Sequence, residues 1–213
     1  MKRMTGLWRS GLAALLLWCA WPALAAELPS LSLADAKAKQ AVILDTRPSY
    51  FYQGWPMAGE TQGGHVAGAE HLSAEWKYSD EEWPKALASK GLKADLPVAL
   101  YGAPREVAEV ARLLRQQGIK QLFELQGWQS APREHLARWQ QLVYPLWLAD
   151  LQAGKPVAAA PKGEWKVFEV AWGAPKAYLL SHIPGAGYID TNRLEAEPLW
   201  NKVSDEALTA LLL

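Results

Sequence analysis

The chain of 213 residues holds a single cysteine, Cys19, and that one lies in a segment expected to be removed. Residues 11–21 form an apolar stretch behind the basic start Lys2, Arg3 and Arg9, and the segment closes on Ala23-Leu24-Ala25. This small-x-small ending predicts cleavage between Ala25 and Ala26. Residues 1–25 therefore read as a secretory signal peptide, since the apolar run is too short to span a membrane. Trp18 stands where a small residue precedes a lipidated cysteine, which argues against a lipoprotein. The mature chain then has no thiol. That excludes a disulfide scaffold, leaving stability to packing, and excludes thiolate or persulfide chemistry by the chain itself.

Net charge is also missing. Lys and Arg number 22, Asp and Glu 22, and the leader removes three bases and no acid. A near-neutral chain with interspersed charges gives no electrostatic reason to expect nucleic acid, or a membrane surface once the leader is cleaved. No Ser-His-Asp arrangement, phosphate-binding glycine loop or pair of catalytic carboxylates is present. What the chain does have is 50% apolar residues, enough for a real core, and 12 tryptophans. The nine mature tryptophans are scattered without strand-like spacing, which favours core and seam filling over a sugar-stacking surface.

Strands alternating with helices predict an α/β fold, a parallel sheet flanked by helices. Ser32 caps a helix over 33–40 with Asp35 at the capping-box position, and residues 41–45 form a buried strand ending in a carboxylate. A loop follows over 48–69. Ser79 and Glu82 open a second helix that Gly91 closes, and residues 97–101 form a second buried strand. Residues 105–117 carry Val107, Val110, Ala111 and Leu114 at helical spacing, with Gly118 as the stop. A third strand over 121–125 and a helix over 132–142 complete the unit.

The pattern then begins again. Val42-Ile43-Leu44-Asp45 returns as Lys166-Val167-Phe168-Glu169, and His65-Val66-Ala67-Gly68-Ala69 as His182-Ile183-Pro184-Gly185-Ala186. Ser79-Asp80-Glu81 returns as Ser204-Asp205-Glu206. Three collinear matches at offsets of 124, 117 and 125 indicate a duplicated domain. The predicted domains are 26–142 and an incomplete second copy, 143–213. The equivalent of Gly102 falls beyond Leu213, so the chain is expected to stop inside a helix, with unpaired apolar surface prone to aggregation or proteolysis.

The first copy resembles a rhodanese domain. The resemblance rests on Leu44-Asp45-Thr46-Arg47, then Gly64-His65-Val66-Ala67-Gly68-Ala69-Glu70-His71-Leu72, Pro97–Tyr101 with the loop after it, and Phe123–Trp128. With Tyr178–Ala186, Tyr188-Ile189-Asp190 and the leader, the chain is similar to the N-terminal half of a periplasmic three-domain rhodanese sulfurtransferase. In that family a cysteine after the central strand takes the outer sulfur of thiosulfate and passes it to cyanide or a thiol. The resemblance puts that cysteine at Gly102, so the first domain is expected to be catalytically silent. Pro104 removes an N–H from the former anion loop of Gly102, Ala103 and Arg105, and Glu106 and Glu109 oppose an incoming anion. Glu169 and Ala171-Trp172 replace the aspartate and arginine turn in the second copy.

Asp45 and Arg47 read as an ion pair or turn contact at a strand end. His65 and His182 recur at one position, which a structural hydrogen bond explains without a metal. No metal and no cofactor are expected. The reading is thus an inactive N-terminal portion of an exported thiosulfate sulfurtransferase, partnered by a C-terminal rhodanese domain of the same protein that meets thiosulfate and the thiol acceptor. The alternative is a non-catalytic rhodanese module that docks a protein or binds an anion.

Overall fold

The computed structural model describes residues 27–195, 197–198, 200 and 203–212. Residues 1–26, with the expected leader, Cys19 and the expected cleavage pair Ala25 and Ala26, lie outside the described residues, as does Leu213. The chain divides into two compact units, one up to Pro145 and one from Leu146.

The first unit runs β1 (Ser30–Ser32), α1 (Leu33–Ala38), β2 (Val42–Asp45), α2 (Ser49–Gln53), β3 (His65–Val66), β4 (Glu70–His71), α3 (Trp83–Ser89), β5 (Val98–Tyr101), α4 (Pro104–Gln116), β6 (Leu122–Gln126) and β7 (Arg133–Glu134). Five strands form one parallel sheet in the order β1-β6-β5-β2-β4. The period of two along β2 and β5 explains why both faces are apolar. Leu44, Val98 and Leu100 join Val107, Val110 and Leu114 of α4 and Trp83 of α3 in one core. Ile43, Ala99 and Tyr101 join Leu31, Ala36, Val66 and Leu125 in the other. Full burial of each such Leu or Ile contributes about 1.5–3 kcal/mol.

Local sequence sets most boundaries. The Ser32 hydroxyl oxygen accepts the Asp35 N–H at 3.1 Å, as a cap should. The helix expected over 33–40 stops at Ala38 because Gln40 is left-handed, with φ 51°. Two expectations fail. The segment 48–69 is not loop throughout, since it contains α2 and β3. The helix expected over 132–142 is instead β7, antiparallel to β3, and a short 3-10 turn at Trp139–Gln141. Arg138 has φ 58°, which no helix continues through, and Leu136 and Leu142 stay exposed, so that segment had no apolar face to bury. The three-residue edge strand β1 was too short to show a period.

The second unit contains α5 (Pro145–Gln152), β8 (Phe168–Ala171), α6 (Lys176–Leu180), β9 (Gly187–Asp190) and α7 (Asp205–Leu212). The strand expected at 166–169 lies two residues later. β8 and β9 pair in parallel, and Trp172, Leu179 and Leu180 are 80%, 74% and 89% exposed. Ala186 and Ile189 are buried.

Candidate functional site

In a parallel α/β sheet the carboxyl ends of the strands are where ligands are met. Here β2 and β5 deliver Thr46, Arg47 and Gly102 to one point. Gly102 has φ 150°, in the region that only glycine adopts freely, and a Cβ built on it meets Thr46 Oγ1. The same Cβ lies 3.0 Å from Glu106 Oε2 and 3.2 Å from Arg47 Cγ. Thr46 is held there because its hydroxyl donates to the Tyr101 carbonyl at 2.9 Å.

Glu106, at the third position of α4, folds back so that its carboxylate accepts the Ala103 N–H at 3.0 Å. This is half of a capping box; Ala103 has no side-chain oxygen to complete it. Burial raises the Glu106 pKa, the Ala103 N–H opposes the rise, Asp45 adds to it, Arg47 opposes it and Glu75 adds to it. The loop that would cradle an anion therefore already holds one from its own chain. Arg105 is exposed on the rim of an open groove of about 960 Å³, where Glu75, Glu106 and Glu109 are interleaved with Lys77, Arg105, Arg112 and Arg115. Four bases against three acids leave an excess of one positive charge, and Arg112 is already paired with Glu109 at 2.7 Å, so little of it is free to draw an anion.

Behind the loop, Asp45 and Arg47 are both fully buried and joined by a two-point contact, Nη2 to Oδ2 at 2.7 Å and Nε to Oδ1 at 2.9 Å. The Tyr101 hydroxyl donates to Asp45 Oδ2 at 2.8 Å and accepts the Val66 N–H at 2.9 Å. Burial, and then the Asp45 charge, push the Tyr101 phenol well above its ordinary value. For Arg47, burial works against the charge, but the hydrogen bond to and charge of Asp45 outweigh it and raise its pKa. His71 Nε2 lies 2.9 Å from the Arg47 carbonyl, an acceptor only, so that nitrogen carries the proton. Every polar group here holds another in place, and none is left as a free acid or base.

His65 and His182 do not approach a metal set. Among the described residues no group of three or more His, Cys, Asp or Glu is placed to hold a metal ion. His65 Nδ1 donates to the Tyr52 carbonyl at 2.7 Å while the two rings stack at 3.9 Å. His182 Nδ1 donates to the Tyr178 carbonyl at 2.8 Å, and those rings stack at 4.0 Å. The Tyr52 hydroxyl donates to the Ala69 carbonyl, and that of Tyr178 to the Ala186 carbonyl.

Strand register extends the equivalence. Leu44 pairs with Glu70 as Phe168 pairs with Gly187, which sets Glu169 at the place of Asp45, Ala171 at that of Arg47 and Tyr188 at that of His71. The Tyr188 hydroxyl donates to the Gly173 carbonyl at 2.8 Å and lies 3.3 Å from the Ala171 carbonyl, whereas His71 is 2.9 Å from the Arg47 carbonyl itself. Sequence reasoning missed Tyr52, Thr46, Tyr101, Glu60 and Arg133. Tyr52 precedes its histidine by 13 residues and Tyr178 by only four, so no fixed spacing gave the pair away. Of the tryptophans, Trp55, Trp83 and Trp147 are buried and Trp128 packs on Tyr101, whereas Trp165, Trp172 and Trp200 are exposed.

Residues 30–130 match the rhodanese-like domain family. The chain is 48% identical over 217 aligned residues to the thiosulfate sulfurtransferase YnjE of Escherichia coli (strain K12), covering 100% of this chain and 49% of that protein. It therefore spans about half the length of this curated relative. The crystal structure of YnjE matches with a TM-score of 0.78 over 87% of this chain and 46% of that one. A variant of EanB solved with hercynine matches at 28% identity and a TM-score of 0.73, over 86% of this chain and 45% of that one. Among the described residues no helix is long and apolar enough to cross a membrane.

Proposed function

With residues 30–130 forming a rhodanese-like domain, we propose that this chain is the non-catalytic N-terminal portion of an exported, periplasmic thiosulfate sulfurtransferase. The reaction has two steps. A thiolate takes the outer sulfur of thiosulfate as sulfite leaves, giving a persulfide, and cyanide or a thiol then accepts that sulfur and restores the thiolate. The thiolate would come from a C-terminal rhodanese domain of the same protein, which would also meet the donor and acceptor. Residues 26–142 would serve as scaffold.

One observation carries the reading. The position after β5, where the family keeps its cysteine, is Gly102, and the space a side chain would need there is filled by Thr46 Oγ1 and the Glu106 carboxylate. That filling also weighs against the alternative of an anion bound at the Gly102–Arg105 loop. Supporting the rest are the similarity to YnjE and, for export, the basic start, apolar run and Ala23-Leu24-Ala25 ending of residues 1–25. The test is thiocyanate formation from thiosulfate and cyanide by the purified chain. No turnover above the uncatalysed rate is expected, and measurable turnover by a chain without a mature cysteine would overturn the proposal.

A further inference from the structure

Arg133, at the start of β7, is a buried cation whose Nε has no hydrogen-bond partner. Its side chain is 5% exposed. Nη1 donates to the Gly64 carbonyl at 2.9 Å, and Nη2 only grazes the Gln129 carbonyl at 3.4 Å. Nε is buried without a partner, alone in this among the side-chain polar atoms of the described residues. Nε and the neighbouring Nη form the edge with which a guanidinium grips two oxygens of one anion. A buried donor left unpaired is costly and calls for an occupant.

The surroundings are built for an anion. Arg47 donates to the same Gly64 carbonyl at 2.7 Å, and both guanidinium carbons lie close to the Trp128 ring, at 5.2 and 5.1 Å from its centroid. Arg47 is neutralised by Asp45. Arg133 has only Glu60, at 3.6 Å, and that carboxylate is also 3.9 Å from Arg47 Nη1 and accepts the Met57 N–H at 3.0 Å. Glu60 thus hydrogen-bonds neither arginine. It is 20% exposed, on the loop between α2 and β3.

We propose that the Nε–Nη2 edge of Arg133, backed by Arg47 and walled by Trp128, is a binding site for a small oxyanion presenting two oxygens, with Glu60 as its resident competitor. The ligand displaces Glu60 toward solvent and takes the two donors that Glu60 does not reach. The site shares no residue with the Gly102–Glu106 loop, so it stands whether or not the chain belongs to a sulfurtransferase.

Titration calorimetry on the whole chain tests this, using sodium sulfate, thiosulfate and acetate at constant ionic strength, with chloride as the anion that offers no oxygen pair. Saturable heat with sulfate or thiosulfate and none with chloride is expected, and acetate reports whether a carboxylate suffices. Glu60→Gln removes the competing charge and should tighten binding about tenfold, while Arg133→Lys keeps the charge, loses the two-point grip and should weaken it about ten- to hundredfold. Flat titrations in both the parent and Glu60→Gln, or an affinity unmoved by Arg133→Lys, overturn the proposal. Should Arg133→Lys fail to fold, the Glu60→Gln arm decides alone.

Discussion

Placing a cysteine at Gly102 would supply the nucleophile that our proposed function finds missing, and the packing around that position opposes it. The new Cβ would fall onto Thr46 Oγ1, and Thr46 is fully buried and tied to the Tyr101 carbonyl, so it has nowhere to turn. The backbone at φ 150° adds strain of about 1–3 kcal/mol for any residue with a Cβ. Overpacking adds about 1–3 kcal/mol more. The expected loss of about 2–6 kcal/mol is a large share of the stability of an ordinary domain, about 5–15 kcal/mol. It corresponds to a fall in Tm of about 5–20 °C. Any fraction that folds would place its thiol beside the Glu106 carboxylate, 3.0 Å from the Cβ, which disfavours the thiolate. Thermal unfolding of Gly102→Cys and Gly102→Ala separates the strain, common to both, from the thiol. The pH dependence of iodoacetamide alkylation reports the thiol pKa, expected above that of a free cysteine. A variant as stable as the parent that alkylates at neutral pH and forms thiocyanate would refute the reasoning.

Two further expectations concern the buried polar network. Asp45→Asn strands the Arg47 guanidinium and should cost about 3–5 kcal/mol in urea unfolding, whereas a loss near that of a surface pair, about 1 kcal/mol or less, would show the pair to be dispensable. For His71, burial lowers the pKa below 6.5 despite the Arg47 carbonyl and Asp45, which raise it. The unfolded chain therefore takes up a proton that the native state refuses. The contribution is fully present above about pH 6.5 and is lost as pH falls toward the native pKa, at up to about 1.4 kcal/mol per pH unit. Unfolding free energies of the parent and His71→Gln should converge between about pH 7.5 and about pH 5.5, and parallel curves would exclude His71 as the source.

What was legible in the sequence follows from which signals are local. The strands at 42–45 and 98–101 and the helix at 104–116 were readable because their apolar runs and period lie within one element. The segments 48–69 and 132–142 were not, because β3 and β7 exist only through each other: His65–Val66 acquires strand geometry by pairing with Arg133–Glu134, 68 positions away. Gly102 was legible only as a residue without a side chain. Its neighbours' role was not, since Thr46 and Glu106 reach it from different elements and only the fold shows that they fill its space. Arg133 and Glu60 gave no signal at all, being one charge on a segment read as helix and one on a segment read as loop.

Set side by side in the register of their paired strands, the two units separate what the fold requires from what a site requires. The tyrosine–histidine stack, with its two backbone hydrogen bonds, occurs in both, at Tyr52–His65 and Tyr178–His182, although the spacing differs. It clasps the loop before the second paired strand and is indifferent to chemistry. At the place where His71 donates to the Arg47 carbonyl stands Tyr188, whose hydroxyl donates to the Gly173 carbonyl at 2.8 Å with that of Ala171 at 3.3 Å, so a side-chain donor to this turn recurs although its ring and its nearest acceptor differ. The Asp45–Arg47 pair does not recur, since Glu169 and Ala171 stand in its place while β8 and β9 still pair in the same register. A buried ion pair is seldom a source of net stability against an apolar replacement, and the second copy forms its paired strands without one. The charge at Arg47 is then better explained by what it faces, the Gly64 carbonyl, Trp128, Glu60 and, through them, Arg133. With the space beside Gly102 filled by Thr46 and Glu106, the oxyanion site proposed at the unpaired Nε of Arg133 is what would give that buried charge a use.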